Sequence, residues 1–228
     1  MTGVTAKLLA TTAASLCLAG CLTEREHVLA PDTHGMVVDA ATGQPVEGAR
    51  VRFSGLEDVQ PVITGPDGRF VLDGRTEKRT IIALPVGGVF RDSAQIEAAR
   101  PDRATGYASA GFINGLGPAQ AEYSVVVMVF PADGEEVALE ALTRDCTQRP
   151  EQRHAMRLAT YISSLDRGNP PGWLDAGTAE ALREHLSATL PSSFFLACEQ
   201  RHEAYDMYAG HTDALRTLQE AGPGQSRH

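Results

Sequence analysis

The sequence has little of what most functional assignments rest on. It contains four cysteines and one tryptophan, and aromatic residues make up only 6% of its length. Its 20 lysines and arginines are outnumbered by 29 aspartates and glutamates, and no basic cluster is interleaved with aromatic side chains. Because nucleic-acid recognition depends on such a basic surface, the sequence predicts no nucleic-acid partner.

The chain also lacks a hydrophobic run long enough to cross a membrane. Its N-terminal apolar stretch, Leu8 to Leu18, has about eleven residues, whereas a membrane-spanning helix needs about twenty. Lys7 precedes this stretch and small residues follow it, which is the arrangement of a secretory signal peptide. The stretch ends in Leu18-Ala19-Gly20-Cys21, which resembles the lipobox of bacterial lipoproteins.

In that family the cysteine thiol is acylated and the peptide is cut immediately before it. The resemblance therefore implies a signal peptide over residues 1–20 and lipid attachment at Cys21, so that acyl chains such as palmitate make the membrane a partner. Several acyl chains hold a protein more firmly than one. Leu22 replaces the aspartate that retains some lipoproteins in the inner membrane, so we expect the outer membrane, facing the periplasm. The alternatives are a plain secretory signal with Cys21 free and an apolar N-terminal helix.

The few cysteines predict one disulfide. Cys17 leaves with the signal peptide and Cys21 would be acylated, so only Cys146 and Cys198 remain. In an oxidising compartment two remaining thiols pair most simply with each other. The alternative is a reactive or metal-binding pair, although the spacing Cys-x-x-Cys is missing.

The chain after Cys21 begins with a polar segment and continues with strands. Residues 22–33 are polar and contain Pro31, so we expect a flexible, lipidated tether over residues 21–33. Over residues 34–133 the apolar residues recur with period two, as in Ala49, Val51 and Phe53, which is typical of strands with one buried face. Turn sequences around Gly43 and Gly68 separate these runs.

Two motifs in this region resemble the carboxypeptidase regulatory-like domain. They are Gly35-x-Val37-x-Asp39-x-x-Thr42-Gly43-x-Pro45-Val46-x-Gly48-Ala49-x-Val51 and Thr64-Gly65-Pro66-Asp67-Gly68-Arg69-Phe70. The resemblance covers residues 34–74 and implies a transthyretin-like antiparallel β-sandwich over residues 34–133. It supplies no catalytic residues, and such domains are commonly stabilising, adhesive or partner-binding modules.

The rest of the β region holds two contrasting segments. Residues 85–121 fit the family less well, and we expect a long loop that is either a mobile surface segment or a binding loop at the sandwich rim. Residues 122–130 are apolar on both faces. Tyr123, Val125, Val127 and Val129 lie on one face, and Val126, Met128 and Phe130 lie on the other. Since a sandwich strand normally leaves its outer face to water, we expect helices to cover this one.

From residue 134 the apolar spacing changes to that of helices, which makes the predicted fold class α+β. We expect about four helices in an extension over residues 134–222, followed by a disordered tail at 223–228. The first carries Ala138 to Cys146 and the second Ala155 to Leu165. Asp175 caps the third helix, and the last begins at Pro191.

No group of residues predicts catalysis, a metal or another cofactor. His202-Glu203-x-x-Asp206 differs from the zinc motif H-E-x-x-H in its second ligand and has no third ligand at the expected spacing, so a solvated helix face is the simpler interpretation. The sequence around Ser109 lacks the pattern G-x-S-x-G, and residues 111–117 lack the lysine of a phosphate-binding loop. His154 and His185 have no sequence neighbours that indicate catalysis.

The sequence therefore predicts a non-catalytic, lipid-anchored cell-envelope protein whose sandwich binds or scaffolds a protein or a glycan. One alternative is a structural subunit of an envelope assembly such as a secretion machine. A third and weaker possibility is an envelope enzyme that uses the helical half.

Overall fold

A computed structural model describes residues 22–82, 90–114 and 122–221 of the chain. In these residues ten strands precede four α-helices and one short 3₁₀ helix. The predicted α+β class, with strands first and helices last, is confirmed.

The strands form two four-stranded sheets and one two-stranded ribbon. They are β1 (Leu22–Ala30), β2 (Asp32–Asp39), β3 (Arg50–Phe53), β4 (Val62–Ile63), β5 (Arg69–Leu72), β6 (Arg75–Ile82), β7 (Phe90–Ala99), β8 (Arg103–Ala104), β9 (Gly106–Asn114) and β10 (Glu122–Pro131). One sheet has the order β5-β2-β10-β8, the other has the order β4-β3-β7-β9, and β1 pairs with β6 in the ribbon. All pairs are antiparallel except β2–β10, so the predicted antiparallel sandwich contains one parallel pair.

Alternating residues of the two sheets build the sandwich core. Val51 and Phe53 of β3 are buried while the arginines beside them are exposed, and Phe70 and Leu72 of β5 show the same alternation. Successive side chains of a strand point to opposite faces, so this period-two pattern places one face of each strand in the core. The predicted alternation in these strands is confirmed.

Glycines hold two of the predicted turns in conformations that other residues rarely adopt. Gly43 has φ of +68° and Gly68 has φ of +70°. A Cβ atom on Gly68 would also lie 2.7 Å from the carbonyl oxygen of Val37. Gly68 is therefore needed both for its backbone angle and for the close approach of β2.

The prediction of a flexible tether is wrong for residues 22–33. Leu22–Ala30 is strand β1, which pairs with β6 from Leu22↔Ile82 to Ala30↔Arg75, and Pro31 separates β1 from β2. Hydrophobic periodicity does not reveal β1, because its central residues are polar and its order comes from backbone pairing. Cys21 lies outside the described residues, as do the signal peptide at 1–20 and the tail at 223–228.

The prediction of a long loop over residues 85–121 is wrong for residues 90–114. Strands β7 and β9 pair in continuous register from Phe90↔Asn114 to Ala98↔Gly106. Most of their core-facing residues are alanines, with Ile96 and Phe112 between them. Alanine and glycine are depleted in strands, so the composition of β9 is closer to that of a loop. Residues 83–89 and 115–121 lie outside the described parts of the chain.

Strand β10 is buried on both faces, as the sequence predicts. Val125, Val127 and Val129 belong to the sandwich core, whereas Val126 and Met128 pack into a second core built by the helices. The helical extension therefore covers the outer face of β10.

The helices are α1 (Ala138–Leu142), α2 (Pro150–Ser164), α3 (Ala176–Thr189) and α4 (Arg201–Ala221). The predicted cap of α3 is confirmed, because the Asp175 carboxylate accepts a hydrogen bond of 2.7 Å from the Thr178 N–H. Two predicted boundaries are wrong. Helix α1 ends before Cys146, where the Thr143 hydroxyl donates to the Leu139 carbonyl. Helix α4 begins ten residues later than Pro191, because a 3₁₀ helix at Phe194–Ala197 and an extended Cys198 precede it.

The helical core lies against the outer sides of β9 and β10. Its fully buried side chains include Leu158 and Ile162 of α2, Leu186 of α3 and Leu215 of α4. Helix α3 contacts both β9 and β10, and α2 contacts β9. This packing brings polar residues of α2 and α3 next to the edge of the β7–β9 pair.

Candidate functional site

The structure joins the two predicted disulfide cysteines. Cys146 and Cys198 form a disulfide with a Cα–Cα distance of 5.0 Å, linking the turn after α1 to the segment before α4. The pairing predicted from the cysteine count is confirmed. It links two segments of the helical layer, and neither cysteine lines the cleft between α3 and strands β7 and β9.

The predicted lipid-attachment residue, Cys21, is outside the described residues. The described chain begins one residue later, with the paired strand β1. None of the described helices is both long enough and apolar enough to cross a membrane. The lipid attachment stays a prediction.

The polar residues at the start of α4 do not come together as a metal site. His202, Glu203 and Asp206 are exposed on α4. Within residues 22–82, 90–114 and 122–221, no group of three histidine, cysteine or acidic side chains is arranged to hold a metal ion. His211, further along α4, is buried and its Nδ1 lies against the carbonyl of Tyr208.

Two buried histidines connect the helical layer to the strands. His154 of α2 lies between β9 and β10, with its Nε2 2.8 Å from the Met128 carbonyl oxygen and 3.4 Å from the Tyr107 nitrogen. A carbonyl oxygen only accepts hydrogen bonds, so the short contact assigns the proton to Nε2. Burial lowers the pKa of His154 to about 4, with a smaller contribution from the charge of Arg157. The imidazole is therefore neutral at neutral pH.

The second histidine contacts a serine that is distant in the sequence. His185 of α3 has its Nδ1 2.8 Å from the hydroxyl oxygen of Ser109 on β9. Burial, together with a smaller effect of the nearby His154, lowers the pKa of His185 to about 3. The two imidazole ring centroids are 6.3 Å apart. Neither Nδ1 of His154 nor Nε2 of His185 has a hydrogen-bond partner among the described residues.

Ser109 also lines a cleft between α3 and the outer face of the β7–β9 pair. The cleft has a volume of about 660 Å³, which lies in the range of small-ligand sites. Its floor includes Ser93 of β7 with Gly111 and Ile113 of β9, and Tyr123 of β10 also lines it. The α3 wall is made of small residues and two carboxylates. Its residues are Gly177, Glu180, Ala181, Glu184, Ser187 and Ala188.

The cleft carries charges of both signs. Arg91 and Asp92 of β7 line it together with Glu180 and Glu184 of α3, although Asp92 points to the opposite face of β7 from Arg91. Two of these residues already have partners: Asp92 accepts a hydrogen bond of 2.7 Å from the Asn114 amide, and Glu180 forms an ion pair with Arg183. Among the described residues, the side chains of Arg91 and Glu184 form no ion pair or hydrogen bond.

Sequence reasoning missed this site because its walls come from distant segments. Ser109 and His185 are 76 residues apart, and Arg91 lies in a segment that was expected to be a loop. The available signal was the alternation of Ala94, Ile96 and Ala98 with polar residues, which is typical of a strand. It would have placed Arg91 and Ser93 on the face opposite the core.

Comparisons with known proteins identify no family for this chain. No protein-family model matches the chain, and no curated protein matches it. Among solved structures, the chain is similar to 5-hydroxyisourate hydrolase from Klebsiella pneumoniae, with 16% sequence identity and a TM-score of 0.25. That match covers 44% of this chain and 85% of the hydrolase chain. A TM-score this low supports no conclusion about the fold or the activity, and the transthyretin-like identity of the sandwich stays a prediction.

Proposed function

We propose that this protein is a non-catalytic, lipid-anchored component of the cell envelope that binds a polar ligand in the cleft between α3 and the β7–β9 pair. The observation that carries the proposal is the cleft itself, about 660 Å³ in volume, with an arginine and a glutamate whose charges are not neutralised by described residues. Charged groups held at a cleft by rigid elements are typical of a binding site.

The rigidity of the walls supports binding. The floor is a continuous antiparallel pair of strands, and the opposite wall is a helix capped by Asp175. The Ser109–His185 hydrogen bond joins floor to wall inside the protein. Walls held in this way keep the cleft open without a ligand, which reduces the ordering cost of binding.

The chemistry of the Ser109–His185 pair favours a structural role over catalysis. A catalytic serine–histidine pair needs a base whose pKa is near the working pH and a third group that orients the imidazole. Burial lowers the pKa of His185 to about 3, and its Nε2 has no carboxylate partner among the described residues. Ser109 also lies within a regular strand rather than at a sharp turn.

The envelope location rests on the sequence alone, through the lipobox-like residues Leu18 to Cys21. The motifs over residues 34–74 that resemble the carboxypeptidase regulatory-like domain agree with a binding module. If Cys21 is acylated, strand β1 starts at the membrane surface, because Leu22 is its first residue.

A matched pair of tryptophan variants tests the binding function. Ser93→Trp places an indole on the cleft floor, and Ser192→Trp places the same group on an exposed segment before the 3₁₀ helix. The purified full-length proteins are dialysed against a small-molecule extract of envelopes and examined by native mass spectrometry. We expect an adduct on the wild type and on Ser192→Trp but not on Ser93→Trp. Equal adducts on all three, or none on any, would contradict the cleft as a binding site.

Two further measurements test the remaining parts of the proposal. Cys21→Ser should move the protein from the membrane fraction to the soluble fraction, and detergent-free membrane retention would contradict lipid anchoring.

A fluorophosphonate probe should leave Ser109 unlabelled, because an unactivated serine reacts slowly; stoichiometric labelling lost in Ser109→Ala would indicate an enzyme. A fixed stoichiometric protein complex without a small ligand would favour the assembly-subunit alternative.

A further inference from the structure

The cleft presents one positive and one negative side chain, on opposite walls, that form no ion pair or hydrogen bond with a described residue. Arg91 projects from β7, where it pairs with Ile113 of β9, and Glu184 projects from α3. Both side chains are exposed to solvent at the cleft, and neither forms an ion pair with a described residue. A ligand that neutralises only one of them would leave the other uncompensated as water is displaced.

Both charges act on the same place in the cleft. Burial raises the pKa of Tyr123, the charge of Glu184 raises it further, and the charge of Arg91 lowers it. The charges of both side chains thus affect the ionisation of the Tyr123 hydroxyl. This hydroxyl can donate or accept a hydrogen bond in the cleft.

The cleft floor next to these groups has no side chain at Gly111. A Cβ atom on Gly111 would lie 3.2 Å from Oε2 of Glu184 and 4.0 Å from the Tyr123 hydroxyl oxygen. The neighbouring floor residue, Ser93, pairs with Gly111 across the β7–β9 ladder and has a small side chain. A ligand can therefore lie against the floor and reach the carboxylate of Glu184.

We propose that the cleft binds a short unblocked peptide, with the peptide ammonium group on Glu184 and the peptide carboxylate on Arg91. An arginine binds a carboxylate through two parallel N–H···O hydrogen bonds, which fixes the orientation of the ligand. The serine hydroxyls of the floor can bond the peptide group between the charged ends. The inference rests on the proposed binding function of the cleft and specifies its ligand.

The lining favours a peptide over a neutral glycan. A glycan would leave both charges without a counterion, and its rings would find little aromatic surface. Phe112 is buried in the sandwich core, so Tyr123 is the aromatic residue of the lining that remains for stacking. The volume of about 660 Å³ is larger than a free amino acid fills, which favours a ligand of two or more residues.

Calorimetric titration of the full-length protein with defined probes tests the inference. The probes are alanine, Ala-Ala, N-acetyl-Ala-Ala, Ala-Ala amide and the neutral disaccharide N,N′-diacetylchitobiose. We expect Ala-Ala to bind more tightly than alanine, and blocking either end of Ala-Ala to weaken binding at least tenfold. The disaccharide should not bind.

Two charge variants identify which end of the peptide binds which cleft residue. In Arg91→Gln, the free peptide and its amide should bind with nearly equal affinity, because the carboxylate contact is already lost. In Glu184→Gln, the same should hold for the free peptide and its N-acetyl form. Arg201→Gln, at an exposed position of α4 that does not line the cleft, is the control and should retain the wild-type pattern. Thermal unfolding of each variant, compared with the wild type, checks that its fold is intact.

Several results would overturn the peptide ligand. They are equal affinity for blocked and free Ala-Ala, no binding of Ala-Ala at millimolar concentration, and binding of alanine alone or of the disaccharide in place of Ala-Ala. The cleft would still be a binding site if Ser93→Trp abolished disaccharide binding or removed the adduct from envelope extract. Failure of the ligand assignment is therefore distinguishable from failure of the binding function.

Discussion

Acidification from pH 8 to pH 5 should destabilise the protein through His154 and His185. Both imidazoles are buried between the helices and strands β9 and β10, and burial lowers their pKa values to about 4 and about 3. In the unfolded chain both should titrate near pH 6.5. Below that pH the unfolded chain binds protons that the folded protein does not, so stability falls as the pH falls.

The magnitude follows from the two pKa differences. For one histidine whose pKa falls from 6.5 to about 4, the loss of unfolding free energy between pH 8 and pH 5 is about 2 kcal/mol. His185 should contribute a similar loss over this interval, since at pH 5 the folded form of either residue is still neutral. The sum, about 4 kcal/mol, is a large part of the 5–15 kcal/mol that stabilises a typical domain.

Urea unfolding at several pH values, with wild type and variants compared, measures this effect. His185→Asn can keep a polar atom near the Ser109 hydroxyl, and His154→Gln can keep one near the Met128 carbonyl, but neither variant binds a proton. Each should lose about 2 kcal/mol less than the wild type between pH 8 and pH 5. His202→Gln, at an exposed position of α4, is the control. Equal losses in the wild type and the double variant would refute the reasoning.

Three further predictions concern stability. Asp39→Ala should cost about 3 kcal/mol in urea unfolding, since its buried carboxylate accepts the Ala41 N–H and pairs with Arg103; a loss below about 1 kcal/mol would contradict this. Met128→Ala should cost about 3 kcal/mol by opening a cavity under the helices, whereas Val71→Ala, at an exposed position, should cost less than about 0.5 kcal/mol; equal costs would contradict the helical cover. Replacing Cys146 and Cys198 together by serine should cost about 2–4 kcal/mol, and an unchanged urea midpoint would contradict a stabilising bridge.

The parts of the fold that hydrophobic patterning controls were predictable. Val51, Phe53, Phe70 and Leu72 alternate with polar residues, and the structure buries them as expected. The double-sided burial of β10 also follows from its sequence, because residues 125–130 are all apolar and need cover on both faces. The disulfide followed from counting the cysteines that would remain after the predicted signal removal and acylation.

Other parts were not predictable, for two physical reasons. Strand β1 is ordered by backbone pairing with β6, and polar side chains such as Glu24 and Arg25 give no hydrophobic signal for it. In β9, Ala108, Ala110 and Gly111 have low strand propensity, but continuous pairing with β7 overrides that preference. The cleft could not be predicted while residues 90–114 were taken as a loop, because its floor is the β7–β9 pair.

The site itself required the three-dimensional structure. Arg91, Ser109 and Glu184 come from three elements that the sequence separates widely, and no local motif connects them. Such long-range contacts are set by how α3 packs on β9, which periodicity does not specify.

The most direct test of ligand binding in the cleft is a chemical-shift map. The full-length protein, labelled with nitrogen-15 and held in detergent, is titrated with the small-molecule fraction of an envelope extract. We expect the shifted amides to cluster at Arg91, Ser93, Gly111 and Glu184, and we expect Ser93→Trp to abolish these shifts. Shifts confined to another surface, or no shifts at all, would contradict ligand binding in the cleft.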